Sequence, residues 1–176
     1  MTIRIRPVLA AAIALVAALA TGCTEEGPAM DPAAELAARP SSQEIVTRYE
    51  QMELRIRDQL DAELGPFAWE VKRNGEQGGC GANFPNLGGV TTYLPSWGFD
   101  GNIADGDWPR AKQIVTGIIA EYGFTSPTLQ IDKPGQHETS AADLALGAQF
   151  NLGTKVNTTM QTTTGCHPKD PATPPS

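Results

Sequence analysis

The chain has 176 residues and a formal net charge of −7, with 40% hydrophobic and 19% charged residues. That length suits one domain, and the composition excludes a collagen, a coiled coil and a wholly disordered chain. The acidic balance argues against nucleic acid as a partner, because phosphate binding needs clustered Lys and Arg.

Arg4 and Arg6 make a short positive start, and Val8 to Ala20 follows with no charge, polar side chain or proline. As a helix at about 1.5 Å per residue that run spans roughly 20 Å, short of the ~30 Å hydrocarbon core. It reads as a signal-peptide core within residues 1–22 rather than a spanning helix. The run ends in Leu19-Ala20-Thr21-Gly22-Cys23. Small residues just before a cysteine resemble the bacterial lipobox, where the chain is cut before the Cys and the thiol takes a diacylglyceryl group. Ala20 stands where that motif usually carries Leu, with Leu19 one place earlier. An ordinary secretory signal cut near Ala18 or Ala20, leaving Cys23 as a free thiol, is the alternative. On the lipobox reading Cys23 is the lipidation site, and acyl chains anchor the protein on the extracytoplasmic face of the cell membrane. Cleavage removes Arg4 and Arg6, so the net charge of −7 becomes −9. An anionic leaflet repels such a chain, so the lipid and not the protein surface would hold it there.

With Cys23 spent on lipid, Cys80 and Cys166 remain as an even pair. In an exported chain that pair reads as a disulfide. It would close a loop of roughly 86 residues, worth about 4–5 kcal/mol in chain entropy. Two free or metal-binding thiols are the alternative. The chain has no C-x-x-C and no Cys/His cluster, and Cys166-His167 offers only two ligands, so a zinc site is not expected.

Residues 23–40 are rich in Ala, Glu, Pro and Gly and read as a lipidated tether, with too little apolar surface to offset the entropy of ordering. Residues 41–166 form the single domain. Residues 167–176 hold four prolines in ten positions and read as a loose tail. Ser41 and Glu44 are spaced as a capping box, and Ile45, Tyr49, Met52, Ile56, Leu60 and Leu64 follow as one apolar helical stripe. Glu50, Glu53, Arg57 and Asp58 are assigned off that stripe, and Gly65-Pro66 ends the helix. Phe67 to Val71 and Val90 to Leu94 read as strands around a Gly-rich polar loop, and Pro95 to Asp107 as a long loop. Asp107 caps a second helix with Pro109 in its first turn, which runs through Ile114, Val115, Ile118 and Ile119 to Gly123. Thr128 to Asp132 is a strand, and Pro134-Gly135 suits the centre of a type II turn. Leu144 to Asn151 and Val156 to Thr162 alternate as two more strands. The order is α-β-β-α-β-β-β. The expected fold is α+β: a two-layer sandwich with two helices packed on a mainly antiparallel sheet.

Several stretches together carry a family likeness. They are the lipobox, Leu60-Asp61-Ala62-Glu63-Leu64-Gly65-Pro66-Phe67, the run from Leu94 to Ile103, Trp108-Pro109-Arg110-Ala111, and Thr164-Gly165-Cys166-His167. The chain resembles the LppA-type lipoproteins of mycobacteria and their relatives, over about residues 43–167. The resemblance implies a membrane-anchored lipoprotein of the cell envelope, and it brings no catalytic residues with it.

The chemistry-bearing motifs are weak. His137-Glu138-Thr139-Ser140-Ala141 begins like H-E-x-x-H, but Ala141 replaces the second His. Asp100, Asn102, Asp105 and Asp107 crowd one loop as calcium ligands might be spaced, yet the EF-hand order fails and turn capping explains them. A hydrolase triad would have to use His137 or His167, and there is no G-x-S-x-G. Trp97, Phe99 and Trp108 lie in or beside one Gly- and Asp-rich loop. They form a possible contact loop, with burial between the layers as the alternative. No cofactor and no metal is expected. The function expected is that of a non-catalytic binding or interaction module of the envelope, meeting an unidentified envelope protein or small ligand. An envelope hydrolase, a hydrophobic-ligand carrier and a structural spacer are the alternatives. A cavity among Met52, Ile118 and Phe150 would favour the carrier, and a nucleophile beside His137 the hydrolase.

Overall fold

A computed structural model describes residues 31–82 and 84–170. The signal segment, Cys23, the first part of the tether and residues 171–176 lie outside the described residues.

Among the described residues the architecture is α+β: three helices and an eight-stranded antiparallel sheet. Helix α1 (Pro32–Ala37) is followed by α2 (Ser42–Leu64), β1 (Glu70–Arg73), β2 (Glu76–Gly79), β3 (Val90–Tyr93) and β4 (Ser96–Asp100). Helix α3 (Trp108–Glu121) then leads to β5 (Ser126–Lys133), β6 (Gln136–Asp143), β7 (Ala148–Thr154) and β8 (Asn157–Thr163).

Helix α2 begins as its residues dictate. The Ser41 side chain accepts from the Glu44 amide while the Glu44 carboxylate accepts from the Ser41 amide. Ile45, Tyr49, Met52, Ile56 and Leu60 are all buried along one face. Helix α3 buries Ala111, Ile114, Val115, Ile118 and Ile119. Its capping differs from expectation: Asp107 occupies the N-cap position but its side chain caps no amide, because its backbone is in the helical region already.

The sheet order is β1-β4-β8-β7-β6-β5, with β2 on β3 and β3 meeting β8. β1 and β2 continue one another, as do β3 and β4, so one bent ribbon pairs with another. The bend falls at Pro95, which has no N–H to give the ladder. The Gln161 side chain donates to the Leu94 carbonyl there, at 2.6 Å. Gly98 in β4 runs so close to the Thr158 carbonyl that no side chain could fit. After β4 the chain crosses through α3 to β5 at the far edge. Three antiparallel hairpin steps then return β8 to the side of β4. One core joins α2 and α3 to the sheet, and Met52, Ile118 and Phe150 pack within it.

Four sequence expectations are corrected. The segment from Pro95 to Asp107 is not all loop: its first half is β4, paired on both sides. Residues 144–147 form a turn, and the missing strand is β6, whose Gln136-His137-Glu138-Thr139-Ser140 is polar on both faces. It shows no apolar alternation because polar partners cover its buried side chains. Gln130 Nε2 donates to Thr139 Oγ1 and Asn151 Nδ2 to Ser140 Oγ, at 2.9 and 2.7 Å. The tether expected up to residue 40 ends earlier, since α1 packs Leu36 against Phe84 and the half-cystines. Arg39 pins it, donating to the carbonyls of Leu146 and Cys166 at 2.8 and 3.0 Å. The tail expected from residue 167 starts later. His167 is fully buried and pairs with Val90 in both directions. Asp170 accepts from the Ser42 hydroxyl at 2.7 Å.

Candidate functional site

The three aromatics expected at one contact loop are split by the fold. Phe99 points into the core, stacked on Phe67 at 4.4 Å between ring centroids and edge-on to Trp69 at 4.9 Å. Trp108 is fully buried at the start of α3 and stacks on the His137 ring at 5.1 Å. Both are core residues, and the contact-loop expectation is corrected for them. The reason is alternation: β4 lies inside the sheet, so Phe99 faces the helices. Trp97 shares that face but lies nearer the mouth of the layer and stays half-buried.

The acidic loop residues diverge. Asp100 pairs with Lys72 at 2.7 Å, and Asp105 accepts from His137 Nε2 and the Gly135 amide at 2.9 and 2.8 Å. The Gly135 amide, and then His137, hold the Asp105 carboxyl below the usual carboxylate range. Among the described residues no three His, Cys, Asp or Glu groups converge to hold a metal.

His137 is buried, and each of its ring nitrogens faces a carboxylate: Nδ1 lies 2.9 Å from Asp132 and Nε2 2.9 Å from Asp105. Neither nitrogen is left for a Ser or Cys nucleophile. Cys80 and Cys166 form a disulfide, with Cα atoms 5.4 Å apart.

The most informative concavity is a groove of about 330 Å³ between α2 and the β3–β4 bend. Leu54, Pro95 and Trp97 give it apolar walls, and Glu53 reaches it from α2. Glu53 was assigned off the buried stripe, and the structure corrects this: its side chain is 1% exposed. Its Oε1 has no hydrogen-bond partner among the described residues, nor has the nearby Thr162 hydroxyl. An orphaned buried acceptor costs about 1–3 kcal/mol. Burial pushes the Glu53 carboxyl up to about 7; the Thr162 hydroxyl and then the Arg57 charge pull it down, and Glu50 adds the smallest push upward. The Arg57 guanidinium lies over the Trp97 ring, 3.7 Å from its centroid, and makes no salt bridge among the described residues. The sequence carries a signal for this site in hindsight. Positions 49, 53, 56 and 60 step by four, three and four, so spacing alone puts Glu53 on the inner face of the helix.

A helix pair layered on one face of an antiparallel sheet, with one disulfide, defines a small α+β domain. The particular family follows from comparison. The family model "LppA: Lipoprotein confined to pathogenic Mycobacterium" matches residues 20–170, and the chain belongs to this family. The fold is similar to the crystal structure of the lipoprotein LppA from Mycobacterium tuberculosis, with TM-score 0.64 and 18% identity over 81% of this chain and 91% of that one. It is also similar to a DUF4853 family protein from Actinomyces odontolyticus, with TM-score 0.57 and 15% identity over 79% and 75% of the two chains. No curated protein matches the sequence.

Proposed function

We propose that this lipoprotein-family chain is a non-catalytic binding module, held on the extracytoplasmic face of the cell membrane by acyl chains on Cys23. Its contact site in this reading is the groove beside Trp97. The observation that carries the binding role is the Glu53 carboxyl: a buried acid that lines an open groove and has no salt bridge among the described residues costs stability, and a ligand group would complete it. Two alternatives are weakened. The hydrolase needs an accessible imidazole nitrogen beside a nucleophile; both nitrogens of His137 meet carboxylates, and His167 is fully buried with its Nδ1 on the Pro40 carbonyl. The hydrophobic carrier needs a cavity between the layers, and Met52, Ile118 and Phe150 pack there in one cluster. Anchoring is supported by the family match and by Cys23 after a run of small residues.

Anchoring is tested by the mass of mature protein extracted from membranes. The expected species starts at Cys23 and carries diacylglyceryl and amide-linked acyl groups. Cys23→Ala is expected to move the protein out of the membrane fraction. An unacylated wild-type chain in the soluble fraction overturns the reading.

A further inference from the structure

We propose that the groove between α2 and the β3–β4 bend binds a small organic cation, an amine carried on a flat apolar body, with Glu53 as its counter-ion. This rests on the binding-module reading and names the ligand class for the same site.

Three features point to a cation. Charge is the first. Two carboxylates, Glu50 and Glu53, line the groove against one guanidinium, that of Arg57. Arg57 is stacked on the Trp97 ring rather than paired with an acid. That stacking is the second feature, for with the guanidinium on the indole neither Glu50 nor Glu53 has a salt bridge among the described residues. The third is the Glu53 carboxyl, which lines the groove, is 1% exposed as a residue and makes no salt bridge among the described residues. An ammonium in the groove supplies the missing counter-charge. Leu54, which is 48% exposed, and Pro95 supply the apolar wall for the ligand body.

Binding is then linked to a proton. The groups facing Glu53 are Glu50 and Arg57 on its own helix and Thr162 from β8 beneath. With Glu53 titrating near 7, the free site is largely protonated at pH 6 and ionised at pH 8. An ammonium binds the ionised form, so Glu53 loses its proton to solvent as the ligand enters. Affinity therefore rises with pH, by about tenfold between pH 6 and pH 8. A ligand carboxylate would pair with Arg57 and a protonated Glu53, and would show the opposite slope.

The test uses the full-length chain in an uncharged detergent. Phenethylamine, phenethyl alcohol and 3-phenylpropionate are titrated at pH 6 and pH 8, read by tryptophan fluorescence. The expected result is saturable binding of phenethylamine that strengthens about tenfold toward pH 8. Glu53→Gln should abolish that rise, and Trp97→Phe should remove most of the fluorescence response. The wild-type pH slope stands by itself if either variant melts early. Preference for 3-phenylpropionate with strengthening toward pH 6, or preference for the alcohol with no slope, overturns the cation while leaving a binding module. An amine response with no slope, unchanged in Glu53→Gln, also overturns it. No saturable response from any of the three overturns the cation and the groove as contact site together.

Discussion

The Glu53 carboxyl titrates near 7 in the fold, against an ordinary value of 4.5. The folded state thus holds a proton that the unfolded chain has released, and stability falls as pH rises from about 4.5 through 7. The predicted consequence is that Glu53→Gln flattens this fall and raises stability at pH 8 by about 3 kcal/mol, measured as urea unfolding at pH 5 and pH 8. Natural proteins retain such costs mainly where a site uses them. Asp105 has the opposite sign. Its carboxyl is held low by the Gly135 amide and His137, so its contribution is present at neutral pH and fades as pH falls below the ordinary carboxylate range. Because it is exposed, Asp105→Asn is expected to change the acid limb of a thermal-melt profile more than the neutral one.

At the scale of elements, His137 joins parts that are distant in sequence. It stands on β6, yet its ring meets Asp132 on β5, Asp105 in the loop before α3, and Trp108 at the start of α3. His137→Ala removes a buried side chain and orphans this arrangement. It should cost about 2–4 kcal/mol in denaturant unfolding. Amide exchange should accelerate in the β5–β6 hairpin and the loop before α3 more than in α2. A uniform acceleration would count against the clasp. Helix α1 is the other element that depends on distant partners. Six residues cannot hold a helix alone, and Leu36 is held by Phe84 and Cys166 from elsewhere in the chain. Leu36→Ala should expose residues 31–40 to limited proteolysis at little cost to the main core, which a thermal melt would show.

For the whole molecule, the disulfide ties the start of the Gly-rich turn after β2 to the segment after β8. It also covers the small cluster that seats α1. Opening it frees a loop of 86 residues, for a loss of about 4–5 kcal/mol in chain entropy. Denaturant unfolding with and without reductant, together with the Cys80→Ser/Cys166→Ser pair, measures this. A shift under 1 kcal/mol, set against that about 4–5 kcal/mol expectation, would show that packing and not the crosslink holds the closed topology. The sheet order makes the expectation reasonable. β8 is the last strand in the chain but pairs with β4 and β3, so its return must be secured over a long loop.

The amino-acid sequence by itself determined α2 with its capping box, α3, the strands β3 and β8 and the family to which the chain belongs. These are local or cumulative properties: a stripe at steps of three and four selects an inner face whatever that face later meets. Tertiary structure alone decided which polar groups went inside. β6 was hidden in the sequence because its buried Thr139 and Ser140, on opposite faces, bond to the Gln130 and Asn151 side chains, so the strand shows no apolar alternation. Glu53 was assigned to water because it is charged, although its spacing puts it on the inner face of the helix; the meeting of α2 with Trp97 and Thr162 completes its burial. The aromatic run from Trp97 to Trp108 was visible, but its division into core and rim required the register of β4 between β1 and β8. Burial of a polar side chain depends on partners far away along the chain, and periodicity carries no information about those partners.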